Sequence, residues 1–410
     1  MAIRRDSVAF RSRRLHAGGA SAAEQSLFAT ARTAAEGVGD PTTRDPAPRA
    51  PVGKGFDPER PPMPAAFARA GVGGQRVSPD PGVLDRACTR HYRAAVEPRG
   101  EVAAAPRVGV VVLDWNGGLD TLAAVDSVFS DTAGLDVDAI VVDNASREPV
   151  LDEVRRRHGS VRTVASPRNE GYAGGNNLGI RLALDAGADY VLVLNNDALL
   201  RPGALRALVD TARADPAVGA VGAKILRTED PSRLWLAWGE INWRQSLVRL
   251  VGAGRLDGPR WSVARDVPWV SGCAILLSRR ALERIGAFDE EYFAYHEEVD
   301  WCARAREAGL RVVWQPAAVV LHRGQASSGG ATYVSRKQYL AARNAVRFVR
   351  SHGTAMERAR FWAFLGATLP FQWLRRAWTG EQEGVRLKVA GVRDALLDHP
   401  IPRRELGLDG

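Results

Sequence analysis

The feature that most constrains this chain is an alternation that sets in at Arg107. Short apolar runs, many of them β-branched, alternate with segments in which apolar residues recur at helical spacing. "RVGVVVLDW" reads as a strand, "LDTLAAVDSVF" as a helix, "DAIVVDN" and "VRTVASP" as strands, and "GGNNLGIRLALDAG" as a helix. "YVLVLNND" is the next strand, "GALRALVDTARAD" a helix and "VGAVGAKI" a further strand. Strands alternating with helices build βαβ units, so the expected class is α/β, with a mostly parallel central sheet flanked by helices. Three of these strands end on polar residues: Asp114-Trp115-Asn116, Asp143-Asn144 and Asn195-Asn196-Asp197. Open α/β sheets bind ligands in the crevice beyond the carboxyl ends of their strands, so three such tips mark one candidate edge. Taken alone, Asn-Asn-Asp also suits a turn that caps the helix following Pro202.

The rest of the chain differs from this region. Residues 1–104 hold eleven of the 23 prolines and no tryptophan. Stretches such as "DPTTRDPAPRAPVGKG" cannot bury enough apolar surface to offset chain entropy, so this Arg/Ala/Pro-rich extension is expected to be largely disordered. A short helix over Gly82–Val96 is compatible with the spacing of Val83, Leu84, Ala87 and His91/Tyr92. Residues 105–345 form the expected catalytic domain, and residues 346–410 a helical tail. In that tail "FWAFLGATLPFQWL" lies between Arg clusters, with Arg343, Arg347, Arg350, Arg358, Arg360, Arg375 and Arg376 against the single acid Glu357 between residues 340 and 380. The run is too short to span a bilayer, but aromatic and basic residues together suit an interfacial helix on an anionic membrane. Packing on the catalytic domain or a partner is the other reading.

Composition narrows the classes further. The net charge of +9 comes from an Arg-rich, Lys-poor set, with lysine only at positions 54, 224, 337 and 388, and no helix carries a compact Arg stripe interleaved with base-reading side chains. Nucleic-acid binding is therefore not expected. An anionic lipid surface or a pyrophosphate substrate accounts for the charge equally well. Cys88, Cys273 and Cys302 are widely spaced and form no CxxC, so neither a disulfide framework nor a zinc site is indicated and a reducing cytoplasm fits. The early Arg pair is followed by no apolar signal core, and nowhere is there an uncharged apolar run of ~18 residues. A cytoplasmic protein is expected, with the inner face of the cytoplasmic membrane as a place it can sit.

Six motifs make the resemblance specific. "VVVLDWNGG", "IVVDNAS", "RNEGYAGGNNLGI", "VLNND", "WVSGCAILLSRRALERIGAFDEEYFAYHEEVDWCARAREAG" and "VVLHRGQASSG" occur in the order and spacing of a family 2 inverting glycosyltransferase of GT-A fold, and the chain most resembles its bacterial rhamnosyltransferase-like branch. The resemblance runs from about Val108 to Gly330. It implies transfer of a sugar, with inversion, from a UDP- or dTDP-linked donor to a hydroxyl of a glycan or lipid-linked acceptor in cell-envelope polysaccharide or glycolipid synthesis.

The same resemblance implies roles. Asn116 and Asp143 would hold the nucleotide base; a carboxylate can accept the imide N–H of uracil or thymine, which would otherwise stay unsatisfied. In "GYAGGNN", Gly174 and Gly175 would let backbone approach the donor, with Asn176 beside them at a helix start whose N–H groups attract anions. Asp197 would bind a divalent cation, Mn²⁺ or Mg²⁺, with Asn195 standing where the family commonly has a first Asp, and His322 would be a second ligand, a choice that favours Mn²⁺. Glu298 stands where the family places its general base, a methylene longer than the usual Asp, with Glu297 on the substrate side. Its reactivity is expected to come from position more than from an unusual pKa. The residues also permit a plainer reading, three acids in a first helical turn favoured by the helix dipole, with Asp300 and Arg304 paired at i, i+4. Trp269 and Gly272 would line the acceptor side, Trp269 as a flat apolar face; core packing is its other possible role. Two rivals stand against transfer. Asn195 and Glu298, each a softened version of an acidic family position, keep open a non-catalytic sugar-nucleotide-binding or scaffold protein, whereas a nucleotidyltransferase would need an early basic Gly-rich loop that "LDWNGG" lacks.

Overall fold

The structure is a computed structural model in which residues 105–132, 134–244, 246–324, 336–378 and 382–408 are described. The expectations for residues 1–104, including the helix over Gly82–Val96, lie outside the described residues, as does the end of the "VVLHRGQASSG" motif. The first half alternates as expected: β1 (Arg107–Asp114), α1 (Leu119–Phe129), β2 (Asp136–Asp143), α2 (Leu151–Arg157), β3 (Arg162–Ala165), α3 (Gly171–Asp185), β4 (Tyr190–Asn195), β5 (Ala198–Leu200), α4 (Ala204–Ala214) and β6 (Val218–Arg227). There follow β7 (Leu234–Leu236), β8 (Trp238–Ile241), β9 (Val248–Val251), β10 (Arg265–Asp266), β11 (Ala274–Ser278), α5 (Arg279–Ile285), α6 (Glu297–Glu307), β12 (Arg311–His322), α7 (Arg336–His352), α8 (Ala355–Ala377) and α9 (Glu383–Leu396).

The main sheet runs β10-β12-β6-β11-β4-β1-β2-β3, with β5 added to β12 and β7 to β6, while β8 and β9 form a separate ribbon. Strands β3, β2, β1 and β4 are mutually parallel. β11 then enters antiparallel to both β4 and β6, and β12 runs parallel to β6. β3, β2, β1, β4, β6 and β12 therefore share one direction, with β11 reversed between β4 and β6 and the short strands β5, β7 and β10 reversed on β12 and β6, so the sheet is mixed at its centre. A continuous buried run such as "AILLS" carries no mark of strand direction, because both of its faces are covered.

Alternate side chains feed two cores. Val108, Val110 and Val112 of β1 join Leu192 and Leu194 of β4 beneath α1 and α4. Val111 and Leu113 join Val191 and Val193 on the other face, under Ile180 and Ala183 of α3. Each such fully buried aliphatic side chain contributes roughly 1.5–3 kcal/mol. α3 lies close on β1 because it carries glycines where they meet: a Cβ on Gly175 would come 2.4 Å from Leu113 Cδ1, and one on Gly179 2.3 Å from Val111 Cγ1.

Register then gathers the site. Asp114 pairs with Asp143, and Leu113 with Asn195, so the three polar tips end at one level. His322, the last residue of β12, pairs with Ala198, which directly follows Asp197. The expected division at residue 345 falls inside α7, where Ala345, Val346, Phe348 and Val349 enter the same core as α3, together with Phe361 and Leu365 of α8.

Candidate active site

Asp114 anchors the first wall of the crevice. It is fully buried, and its carboxylate accepts from the Gly117 N–H (3.0 Å), the Thr121 hydroxyl (2.5 Å), the Ser146 hydroxyl (3.1 Å) and the Asn196 amide (3.3 Å). This fixes the β1 and β2 tips together. Asp143 accepts from the Ser146 N–H, the Asn116 N–H donates to Ser146 Oγ, and Asn116 Oδ1 accepts from the Arg147 N–H, each at 2.9 Å. The sequence reading gave roles to Asn116 and Asp143 and placed Asp114 only as part of the first strand tip; the signal for its role was present, since the residue closes a buried strand.

The second wall is α3. Asn144 donates to Asn169 and to the Gly171 carbonyl and accepts from the Glu170 N–H, which pins the entry to the helix. The close approaches at Gly174 and Gly175 are made by protein: Glu170 Cβ lies 2.8 Å from a Cβ on Gly174, and Leu113 fills the space beside Gly175. In this structure both glycines make room for neighbouring protein side chains. Asn176 donates to the Tyr172 carbonyl, while its Oδ1 is buried without a partner.

On the third wall, Tyr172 donates from its hydroxyl to the Gly272 carbonyl at 2.6 Å. A Cβ on Gly272 would lie 3.0 Å from that hydroxyl, so this glycine makes room for Tyr172. Burial, together with the neighbouring charges of Glu297, Glu298, Cys273 and Asp197, holds the phenol pKa well above its ordinary value. Tyr172 thus stands among the acids from two separate motifs, a position the sequence reading did not single out. Trp269 takes the plainer of its two roles: it is 3% exposed and lies over Gly239, so it offers no free face to a sugar.

Of the acids, Glu297 is buried and Glu298 is partly exposed, with its Oε2 buried. At the start of α6, burial and the charge of Glu298 raise the Glu297 pKa well above the carboxylate range. Burial raises that of Glu298 to about 7, against the pull of the backbone N–H groups of Glu298, Val299 and His296. Position is joined here by a shifted pKa; the low-dielectric surroundings of Glu298 are tertiary and could not be read from the helix alone. His296, beside them, is kept neutral, its pKa lowered by burial and by Lys337 to about 4. The expected Asp300–Arg304 pair is present at 2.8 Å.

Asp197 and His322 form the remaining pair. Nε2 of His322 lies 3.0 Å from Oδ1 of Asp197, and both side chains are almost wholly buried. Burial opposes charge on the ring, but the Cys273 sulfur and the Asp197 carboxylate outweigh it and hold the His322 pKa at about 10, while the Asp197 pKa is lowered. The contact is close without being a well-formed hydrogen bond: Asp197 Oδ1 and His322 Nδ1 both lack a hydrogen-bond partner. Two ligand bonds of about 2.1 Å at right angles put their donor atoms roughly 3.0 Å apart, so this oxygen and, once a cation displaces the ring proton that Asp197 and Cys273 favour, this nitrogen fit a shared hard cation. Among the described residues no group of three or more His, Cys, Asp or Glu could hold a metal, so the other coordination positions would fall to substrate oxygens and water. Five acceptor oxygens of the named site residues are buried without partners: Asn176 Oδ1, Asn195 Oδ1, Asp197 Oδ1, Glu297 Oε2 and Glu298 Oε2. Each such group costs about 1–3 kcal/mol unless a ligand or an ordered water satisfies it.

Comparison with known proteins places this geometry in context. A family model described as "Glycosyltransferase like family 2" matches residues 106–347. The N-acetylglucosaminyl-diphospho-decaprenol L-rhamnosyltransferase of Mycobacterium tuberculosis is 32% identical over 216 residues, covering 47% of this chain and 68% of that protein. The low-salt glycan biosynthesis hexosyltransferase Agl10 of Haloferax volcanii is 29% identical over 193 residues, covering 46% of this chain and 59% of its own length. Among solved structures, GalNAc-T7 with UDP, GalNAc and Mn²⁺ aligns with a TM-score of 0.48 at 18% identity, over 60% of this chain and 48% of the other.

Proposed function

The chain belongs to glycosyltransferase-like family 2, and from that premise we propose that it transfers a sugar from a nucleoside-diphosphate donor to a hydroxyl of a lipid-linked or glycan acceptor, with inversion at the anomeric carbon. The observation that carries the reading is the set of buried, unpartnered acceptors on Asn195, Asp197, Glu297 and Glu298 at one edge of the sheet.

In this reading Asn116 and Asp143 face the nucleoside. Asp197 and His322 hold a divalent cation, Mn²⁺ or Mg²⁺, which when bound neutralises the diphosphate and the charge that develops on it as the glycosidic bond breaks. Glu298 takes the proton from the acceptor hydroxyl as its oxygen attacks from the face opposite the leaving group, and a pKa of about 7 suits a base working near neutrality. Tyr172 stays protonated and donates to Gly272, fixing the loop before β11 against α3. Burial and the charge of Glu298 favour the protonated form of Glu297, which can then donate to a substrate oxygen.

The first relative's name specifies a polyprenyl-diphosphate acceptor, and the face of α8 is compatible with such a lipid. Phe371, Leu374 and Trp378 are exposed on one stripe with Arg375, while Arg358 and Arg360 flank its start. No helix among the described residues is long and apolar enough to cross a membrane. Contact would therefore be peripheral, on the anionic inner face of the cytoplasmic membrane. The deciding experiment assays transfer and donor hydrolysis across UDP-, dTDP- and GDP-sugars with Mn²⁺. Tight donor binding with neither reaction, on lipid-linked or glycan acceptors, would favour the scaffold reading.

A further inference from the structure

The approach to α6 is strained. Phe293, Tyr295 and His296 all have positive φ, at 59°, 74° and 73°, a region that side-chain-bearing residues adopt only when the surroundings over-determine it. The surroundings here are supplied largely by α7. Asn344 is fully buried, and its amide nitrogen lies 2.9 Å from the Tyr292 carbonyl, 2.9 Å from that of Ala294 and 2.7 Å from that of Tyr295. Two N–H groups are thus shared among three carbonyl oxygens of one turn. Next to it on α7, Arg343 donates to the Glu291 carbonyl at 2.8 Å, and one turn further on Arg347 pairs with Asp289 at 2.8 Å. At its end, His352 sits between Asp300 (2.9 Å) and Glu307 (2.6 Å) of α6. The Phe293 carbonyl between these points accepts from the Ala173 N–H of α3, so the turn is also tied to the donor wall.

We propose that Asn344 is a positioning residue for Glu298: by holding the carbonyls of Tyr292, Ala294 and Tyr295 it keeps the strained turn in the one conformation that presents the carboxylate to the acceptor. The inference rests on glycosyl transfer with Glu298 as its base. Asn344 itself touches neither substrate nor reacting atoms. Its effect belongs in kcat, because the walls that bind the donor are built from β1, β2 and α3, and misplacing a reacting group by about an ångström costs on the order of 10²-fold.

The test compares Asn344→Asp, which keeps the shape but replaces both donors by acceptors, and Asn344→Ser, which keeps one smaller donor, with Arg350→Gln. Arg350 lies on the same helix but pairs with Asp398 and the Ala395 carbonyl, away from the turn. Two readouts are taken on the full chain: steady-state kinetics, and hydrogen exchange of the amides of residues 292–299. The expected result is a kcat lowered ten- to hundredfold in Asn344→Asp and less in Asn344→Ser, donor KM within about twofold, and faster exchange in that segment, with Arg350→Gln unchanged in both. If Asn344→Asp does not fold, the Ser variant decides by the same two readouts. An active wild-type enzyme whose folded Asn344 variants keep kcat, or lose it through donor KM, would overturn the proposal. A wild-type chain that transfers no sugar overturns the parent reading instead, and unchanged exchange in the variants would still reject Asn344 as the holder of the turn.

Discussion

His322 reaches Asp197 because β12 closes against β5: the register that sets His322 opposite Ala198 carries Nε2 to 3.0 Å from the Asp197 carboxylate. The pair is placed by backbone pairing of β12 with β5 and β6. Such placement by strand register is what the proposed cation site requires, since two protein side chains leave the remaining ligands to substrate and water.

Asp197→Ala removes the only carboxylate of the "NND" tip. We expect calorimetry to show loss of the Mn²⁺-dependent part of donor binding, with the circular dichroism spectrum unchanged. Donor binding that responds to Mn²⁺ as in the wild type would move the metal site elsewhere.

Glu298→Gln keeps size and removes the base. Transfer should fall by roughly 10²-fold or more while donor binding persists. In the wild type, kcat/KM should decline as pH falls through about 7, because the carboxylate must be ionised to act. The stability effect has a definite sign. Folding raises this carboxyl's pKa, so the folded state binds more protons than the unfolded one and loses stability as pH rises from the ordinary carboxylate range towards 7. Glu298→Gln should therefore raise the melting temperature more at pH 8 than at pH 5. A near-normal kcat would place the base on another residue.

Gly179→Val inserts a branched side chain where a Cβ alone already meets Val111 Cγ1 at 2.3 Å. Overpacking of this kind costs about 1–3 kcal/mol. Thermal unfolding should show a clear drop in the midpoint, and an unchanged midpoint would mean that α3 can lift from β1 without cost.

How much of this was legible in the sequence depended on whether the cause was local. The span of α1 followed from its own repeat, and β1, β2 and β4 from their apolar runs. The convergence of Asp143 and Asn195 on one edge was legible because parallel strands share a polarity. The reversal of β11 was hidden, since a strand buried on both faces looks the same in either direction. Trp269 could not be assigned because its partner, Gly239, is brought to it by a bridge between distant segments. The α7 arginines read as a charge run attracted to lipid, yet Arg343, Arg347 and Arg350 are committed to Glu291, Asp289 and Asp398. Only tertiary structure shows those acids facing the helix. Asn344, an uncharged polar residue within a basic helix, gave no signal for the same reason.

The membrane prediction now rests on α8 alone, and that changes its test. Cutting the chain after Arg350 would remove His352 and strip away α9, whose Ala395 lies in the same core as α7, so loss of vesicle binding after truncation would not separate an absent membrane face from a damaged fold. Surface substitutions avoid this. Phe371 and Trp378 are 66% and 93% exposed, so Phe371→Ser with Trp378→Ser should leave the midpoint of unfolding within about a degree while reducing co-sedimentation with phosphatidylserine-containing vesicles several-fold. Each Arg near an anionic surface contributes about 1 kcal/mol, and this attraction decays over a Debye length of about 8 Å at physiological ionic strength. Raising salt should accordingly weaken binding of the wild type, while inserted aromatic rings, which salt does not screen, keep part of it. Equal co-sedimentation of wild type and double variant would show that α8 meets something other than lipid.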